Sequence, residues 1–228
     1  MINLQKSTYD LSSSGQSVRH NVLRNTYWLL ALSMIPTVLG AFIGVVAHVP
    51  MLGGGLGALL FLGIAFGFIW GIEKNKDSGL GVALLLGFTF FMGLMLTPIL
   101  SRTLGFSNGG LLIMTAFGGT ASVFAVMATI ATVSKRDFSG LGKWLFAGVV
   151  VLMIASLANI FLGIPALALT VSVIAIAIFS AYILYDVQQI INGGETNYIR
   201  ATLSIYLDVY NIFVNLLSLL GIFGGNRD

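Results

Sequence analysis

Long apolar runs, separated by short polar links, recur along almost the whole chain and constrain its fold more than any other feature. Hydrophobic residues make up 57% of the sequence and charged residues only 8%, a balance that soluble domains do not show. A run of about 20 apolar residues is long enough to cross a bilayer as a helix. We therefore predict an all-α, polytopic membrane protein in contact with the lipid bilayer. Its seven predicted spans are 27–48, 51–72, 79–101, 110–133, 142–163, 166–191 and 199–223.

The spans follow one another closely, so we expect one seven-helix membrane domain, residues 27–224. Residues 1–26 are polar and contain no apolar core of a signal peptide, which predicts a mobile cytoplasmic tail. Residues 225–228 would form a short outer tail. Pro36 and Pro98 lie within the first and third spans and should kink them.

The basic residues of the short links predict the orientation of this domain. Cytoplasmic links of membrane proteins carry an excess of Lys and Arg. One side of the predicted bundle carries nine such residues: Lys6, Arg19, Arg24, Lys74, Lys76, Lys135, Arg136, Lys143 and Arg200. The other side carries only Arg102 and Arg227. The N-terminus is therefore expected in the cytoplasm and the C-terminus outside.

Several classes of function are disfavoured. The chain has no cysteine, which excludes disulfides, thiolate metal sites and cysteine nucleophiles. Its basic residues are dispersed among the links, so they predict topology and no nucleic-acid partner. No nucleotide-binding loop, metalloprotease motif or nucleophile elbow is present. We expect neither an enzyme nor a tightly bound cofactor.

Many of the 28 glycines lie inside the spans, where small residues let helices approach closely. Gly40 and Gly44 form one such pair on the first span. Gly63, Gly67 and Gly71 form a longer ridge on the second. We expect packing within the chain, with dimerisation as the alternative.

Two aspartates occupy the apolar hairpin at residues 182–216. Asp186 and Asp208 lie on either side of the polar link 192–197, at similar depths in the two helices, so their carboxyl groups can meet. An aspartate at the centre of a membrane helix costs about 2.5 to 3.5 kcal/mol. Two of them in one hairpin therefore indicate a function.

Other polar residues line up with these aspartates. The seventh span has a polar face at helical spacing, which predicts a central position among the other helices. The expected polar path comprises Tyr182, Gln189, Asn159, Ser204, Asn211, Asn215 and Ser218. The alternative for the amides and hydroxyls is structural, because such groups also join membrane helices by hydrogen bonds.

No Lys, Arg or His lies at the depth of the two aspartates. Two carboxylates in a medium of low dielectric cannot both ionise easily, so we expect the pair to share a proton and to titrate as a unit. Losing that proton would separate the helices or admit a cation. Hard carboxylate oxygens suit a transiently bound Ca²⁺. The alternative is a purely structural, protonated pair.

Intramembrane aspartyl proteases also use two aspartates on adjacent helices. This chain has their YD motif at Tyr185 and Asp186, but its Pro165-Ala-Leu precedes both aspartates instead of following them. The second aspartate lies in YLDVYN, which lacks the GxGD motif of those enzymes. A protease is therefore disfavoured.

The stretches YILYDVQQI and LSIYLDVYNIFVNLLSLLGI resemble the signature of the Bax-inhibitor family of membrane proteins. VLRNTYWLL and GGETNYIRATLSIY resemble its bacterial YccA-like branch more closely. The resemblance implies six helices around a central seventh in the bacterial inner membrane. In the calcium-leak members a diaspartyl pair acts as a pH sensor, and its positions match Asp186 and Asp208. This chain departs from that pattern, since its second span has no acidic residue before Glu73.

The resemblance implies two functions. The first is a pH-sensitive leak channel for cations, chiefly Ca²⁺, gated by protonation of Asp186 and Asp208. The alternative is a non-conducting modulator and substrate of the membrane AAA protease FtsH, engaged through the tail and helices.

Overall fold

The computed structural model of the protein describes residues 2–49 and 54–225, with the backbone alone for residues 2–16 and 54. Within these ranges the chain is helical and contains no β-strand, which confirms the all-α prediction. The helices are α1 (Ile2–Val46), α2 (Gly54–Lys74), α3 (Gly79–Met95), α4 (Thr97–Leu104), α5 (Gly109–Val133), α6 (Leu141–Leu162), α7 (Pro165–Asn192) and α8 (Tyr198–Gly224).

Six helices in the described ranges are long and apolar enough to cross a membrane. Helices α3 and α4 pass the same test together and are bent by 40° at the break between them, which gives up to seven spans. The break falls at Leu96, and Pro98 lies in the first turn of α4. Proline is tolerated there because the N–H groups of a first helical turn have no partner within the helix. The kink predicted at Pro98 is thus present as a break.

Helix α1 differs from the prediction of a mobile tail. It is continuous over 45 residues, so residues 2–26 belong to the same helix as the first span. Its length of roughly 68 Å exceeds the hydrocarbon thickness of about 30 Å, and its polar end therefore projects from the membrane. Polar composition does not prevent a helix that a span has already nucleated from continuing. Residues 50–53, which include the predicted start of the second span, and residues 226–228 of the predicted outer tail lie outside the described residues.

Helix α8 has the central position that was predicted for the seventh span. It packs mainly against α7, α5 and α1 and also touches α2, α3 and α4. Helix α6 packs against α7. Tyrosines of α8 add hydrogen bonds to this packing. The hydroxyl groups of Tyr206 and Thr37 are 2.9 Å apart, and Tyr210 donates a hydrogen bond to the Met92 carbonyl of α3.

Close packing at glycine is found on α1, whereas on the predicted ridge of α2 only Gly71 faces a neighbour, Leu84 of α3. A Cβ at Gly40 would overlap the backbone of Phe90, and one at Gly44 would overlap the Thr97 side chain. At Gly63 and Gly67, by contrast, a Cβ would meet nothing within 4 Å. The prediction of packing within the chain is therefore wrong for these two glycines. They lie on a surface of α2 that has no neighbour in the described chain.

Candidate aspartate site

Helices α7 and α8 bring the side chains of Asp186 and Asp208 together, close enough for their carboxyl groups to share a hydrogen bond. Asp208 is only 5% exposed, whereas Asp186 is half-buried. A carboxylate can only accept hydrogen bonds, so a bond between two carboxyl groups requires a proton on one of them. In the described chain, Oδ2 of Asp208 is the buried side-chain oxygen that has no hydrogen-bond partner.

The polar link between α7 and α8 sets this register. Helix α7 ends at Asn192. The next residue, Gly193, has the positive φ of 80° that glycine adopts readily, and the Gly193 and Gly194 N–H groups bond back to the last turn. Asn197 then caps α8, because its side chain accepts hydrogen bonds from the N–H groups of Ile199 and Arg200. These two caps align the helices as an antiparallel pair with the aspartates opposite each other.

Three residues of the predicted polar path lie close to the pair. Tyr182 is one turn before Asp186, packs against the rings of Phe179 and Tyr185, and interacts electrostatically with both aspartates. Gln189 and Ser204 lie beside Asp186 on the wall of a cavity. The structure thus brings Tyr182, Gln189 and Ser204 together with the aspartates.

The remaining residues of the predicted path behave differently. Asn211 and Asn215 are half-buried on α8, and each amide donates to the carbonyl four residues earlier in its own helix, at 2.8 Å. Ser218 lies further along α8, also half-buried. The hydrogen bonds between helices that were expected from the two asparagines are made by Tyr206 and Tyr210 instead.

Asn159 lies away from the aspartate pair and has the structural role that was the alternative for it. Its Oδ1 accepts a hydrogen bond from the Ile164 N–H at 3.0 Å and closes the turn between α6 and α7. That turn lies 21 residues before Asp186, or roughly 30 Å along α7. Asn159 therefore caps a helix at the other end of the bundle and takes no part in the aspartate site.

A cavity of about 180 Å³ opens beside Asp186. Two charged residues at this end of the bundle were not predicted to belong to the site: Glu195 on the cavity wall and Arg200 next to it. Arg200 Nε lies 3.5 Å from Glu195 Oε2 and 3.2 Å from Glu73 Oε2. Both residues lie within three positions of the Asn197 cap, and this proximity could have indicated that they belong to the site. The sequence analysis used Arg200 only to predict the orientation in the membrane.

The described residues contain no group of three His, Cys, Asp or Glu side chains that could hold a metal ion. Ca²⁺ takes six to eight oxygen ligands, and the aspartate pair supplies only two carboxyl groups. The pair is therefore too small for a resident Ca²⁺ site by itself. Its chemistry suits a shared proton or a cation in passage.

The family model for the inhibitor of apoptosis-promoting Bax1 matches residues 19–225. This chain belongs to the Bax-inhibitor family. It is 43% identical over 202 residues to the modulator of FtsH protease YccA of Escherichia coli K12, with 89% of this chain and 90% of the relative covered. An uncharacterized protein of Neisseria meningitidis serogroup A is 38% identical, with 95% and 97% covered. An uncharacterized membrane protein of Vibrio cholerae is 36% identical, with 91% and 92% covered. The predicted resemblance to this family, and to its YccA-like branch, is confirmed.

Proposed function

We propose that this Bax-inhibitor family protein conducts cations, chiefly Ca²⁺, across a bacterial inner membrane, and that Asp186 and Asp208 form the proton-sensitive latch of the path. The observation that supports this most directly is the contact between two carboxyl groups inside the bundle. The ion pairs found in the described chain all involve other residues, Glu73, Lys76, Glu195 and Arg200. The aspartates therefore depend on a proton, and not on a basic side chain, to stay together.

A shared proton gives the latch two states. With one proton, the carboxyl groups hydrogen-bond to each other and connect α7 to α8. Without it, two negative charges face each other in a medium of low dielectric, and their repulsion is relieved by separation of the helices or by entry of a cation. The unpartnered Oδ2 of Asp208 would then be available as an oxygen ligand.

The proposed orientation has the α7–α8 link on the cytoplasmic side and the C-terminus outside. It rests on the nine basic residues of one side against two of the other. Trp28, Trp70 and Trp144 fall at the same predicted boundary and are exposed, as expected of aromatic rings that anchor helices at a membrane surface. An inner-membrane location agrees with the name of an E. coli O6 relative, "Inner membrane protein YccA".

Ca²⁺ flux into proteoliposomes loaded with a Ca²⁺ indicator tests the proposal. Flux should depend on the purified protein and on pH, and Asp208→Asn should change that pH dependence. Protein-free vesicles set the background, and an ionophore added at the end gives the full signal. Flux at the protein-free level at every pH would refute conduction.

A second function is favoured by the E. coli relative, which is named as a modulator of FtsH protease. In this alternative the protein conducts nothing and engages a membrane AAA protease as its modulator and substrate. Its projecting α1 helix would supply the segment that the protease holds. The two functions are separable, because a leak should survive removal of the projecting end and protease engagement should not.

A further inference from the structure

We propose that the cavity beside Asp186 is the entrance by which small inorganic cations reach the aspartate pair from the α7–α8 link, and that Arg200 controls the charge of this entrance through Glu195. The inference rests on the proposed function, since it names the access route to the same pair.

The cavity has the size and lining of an aqueous entrance. Its volume of about 180 Å³ accommodates several water molecules. Asp186 and Gln189 of α7 face Ser204 of α8 across it, and Glu195 lines it from the link. None of the lining residues is basic. A cation that enters from the link end therefore meets polar and acidic groups as far as Asp186.

Two backbone hydrogen bonds fix the position of Glu195 at this entrance. Its Oε1 accepts hydrogen bonds from the N–H groups of Thr196 and Asn197, at 2.9 and 2.8 Å. Glu195 and Asp186 line the same cavity, so a charge at the entrance acts on the aspartate pair at short range.

Arg200 is shared between two acids. Its Nε lies 3.5 Å from Oε2 of Glu195 and 3.2 Å from Oε2 of Glu73, while Oε1 of Glu73 contacts Lys76 at 2.7 Å. Removing the positive charge of Arg200 would leave Glu195 without its basic partner and make the entrance more negative. The charged groups nearest to the link include Arg19, whose guanidinium group lies next to Gly193, and Glu73, Lys76, Asp77, Glu195 and Arg200.

The absence of cysteine from the chain allows a direct test. Ser204→Cys places one thiol on the cavity wall, and its rate of modification in nanodiscs is measured with a cationic and an anionic methanethiosulfonate. Ser122→Cys is the matched control, because Ser122 is exposed on α5 within a predicted span. The thiol at position 204 should react much faster than the thiol at 122, since thiols are reactive only where water allows the thiolate to form.

The charge of the entrance is read from the ratio of the cationic to the anionic rate at position 204. Arg200→Gln should raise this ratio roughly three- to tenfold, and Arg200→Lys should keep it near the parent value. Arg24→Gln is the matched control, because it removes the same charge from an exposed position on α1 and should leave the ratio unchanged. Gln189→Cys repeats the measurement from α7, so that a folding defect of one cysteine variant does not decide the result.

A thiol at position 204 or 189 that reacts no faster than the one at 122 would show that the cavity is closed to water and would overturn the proposal. An unchanged ratio in Arg200→Gln, or an equal rise in Arg24→Gln, would refute the role of Arg200. Labelling measures the access of water and reagent to the cavity, and it does not measure ion conduction. If the thiols are labelled as expected but the protein gives no Ca²⁺ flux, the leak channel is refuted while the aqueous entrance is retained.

Discussion

The Cα atom of Gly93 on α3 lies directly against the backbone carbonyl of Thr37 on α1. A Cβ at Gly93 would overlap the carbonyl oxygen of Thr37 and lie only 2.9 Å from the carbonyl carbon. Both atoms belong to backbone that is fixed in a helix, so neither can move away easily. This contact belongs to the same α1–α3 interface as the close packing at Gly40.

Gly93→Ala should therefore destabilise the protein, by about 1–3 kcal/mol of unfolding free energy, as expected of overpacking. Gly63→Ala is the matched control, since a Cβ there meets nothing within 4 Å. The measurement is the thermal stability of the purified variants in detergent, followed by the loss of the monodisperse peak in size-exclusion chromatography. Equal stability of the two variants would contradict the tight α1–α3 interface.

Replacing either aspartate by asparagine should weaken the pH dependence of flux. The amide introduced by Asp186→Asn or Asp208→Asn can donate a hydrogen bond to the remaining carboxyl group without a shared proton, so the variant pair keeps its contact but loses one titrating group. The double variant should resemble the single variants rather than add to them, because both changes remove the same interaction. Flux is measured in proteoliposomes across pH.

Two outcomes separate the latch from a structural pair. If Asp186→Asn and Asp208→Asn both keep the parent's pH midpoint and amplitude, then the pair does not sense pH. Asn211→Ala is the control. Asn211 is a polar residue of α8 three residues beyond Asp208, and its amide donates a hydrogen bond to the Leu207 carbonyl of the same helix. This variant should keep the parent's midpoint, and a shift as large as that of the aspartate variants would mean that the response is not specific to the pair.

Much of the fold and of the aspartate contact follows from the sequence. Apolar runs predict the spans, Pro98 predicts the break before α4, and the similar depths of Asp186 and Asp208 predict their meeting. Asn159 shows where prediction from the sequence stops. An asparagine within a span is compatible with a polar path, but at five residues before Ile164 it is equally compatible with a helix cap. Glu195 lies in an irregular link, where no periodicity indicates the direction of a side chain. The helical state of residues 2–26 was missed because polar residues occur in projecting helices and in tails alike.

Deleting residues 2–20 should prolong the lifetime of the protein in cells that contain FtsH, if the protease engages the projecting end of α1. The deletion also removes Arg19, which contacts Gly193 of the α7–α8 link. A shorter deletion, residues 2–12, keeps that contact and should have a similar effect. Turnover is followed after protein synthesis is stopped, with cells that lack FtsH as the control. Unchanged turnover of both deletions would exclude this end from the mechanism.

The orientation predicts that a reporter fused after Asp228 is exposed outside the cytoplasm. Nine basic residues on one side against two on the other favour this arrangement for seven spans. An alkaline phosphatase fusion should be active at this position, and a fluorescent protein that folds only in the cytoplasm should be dark. The opposite pair of results would mean that the bent pair α3 and α4 does not cross the membrane.

Asn197 ties α8 to the turn between α2 and α3 with one side chain. Its oxygen caps α8, and its amide nitrogen donates to the Lys76 carbonyl, at 3.0 Å, and to Oδ1 of Asp77, at 2.8 Å, in the turn between α2 and α3. This doubly bonded end would be the pivot of any tilt of α8 against its neighbours. Asp208 lies 11 residues from the pivot and Gly224 lies 27 residues from it, so the far end of α8 moves roughly 2.5 times as far as the carboxyl group. With such a pivot, a small displacement at the aspartates would become a larger one at the opposite end of the bundle.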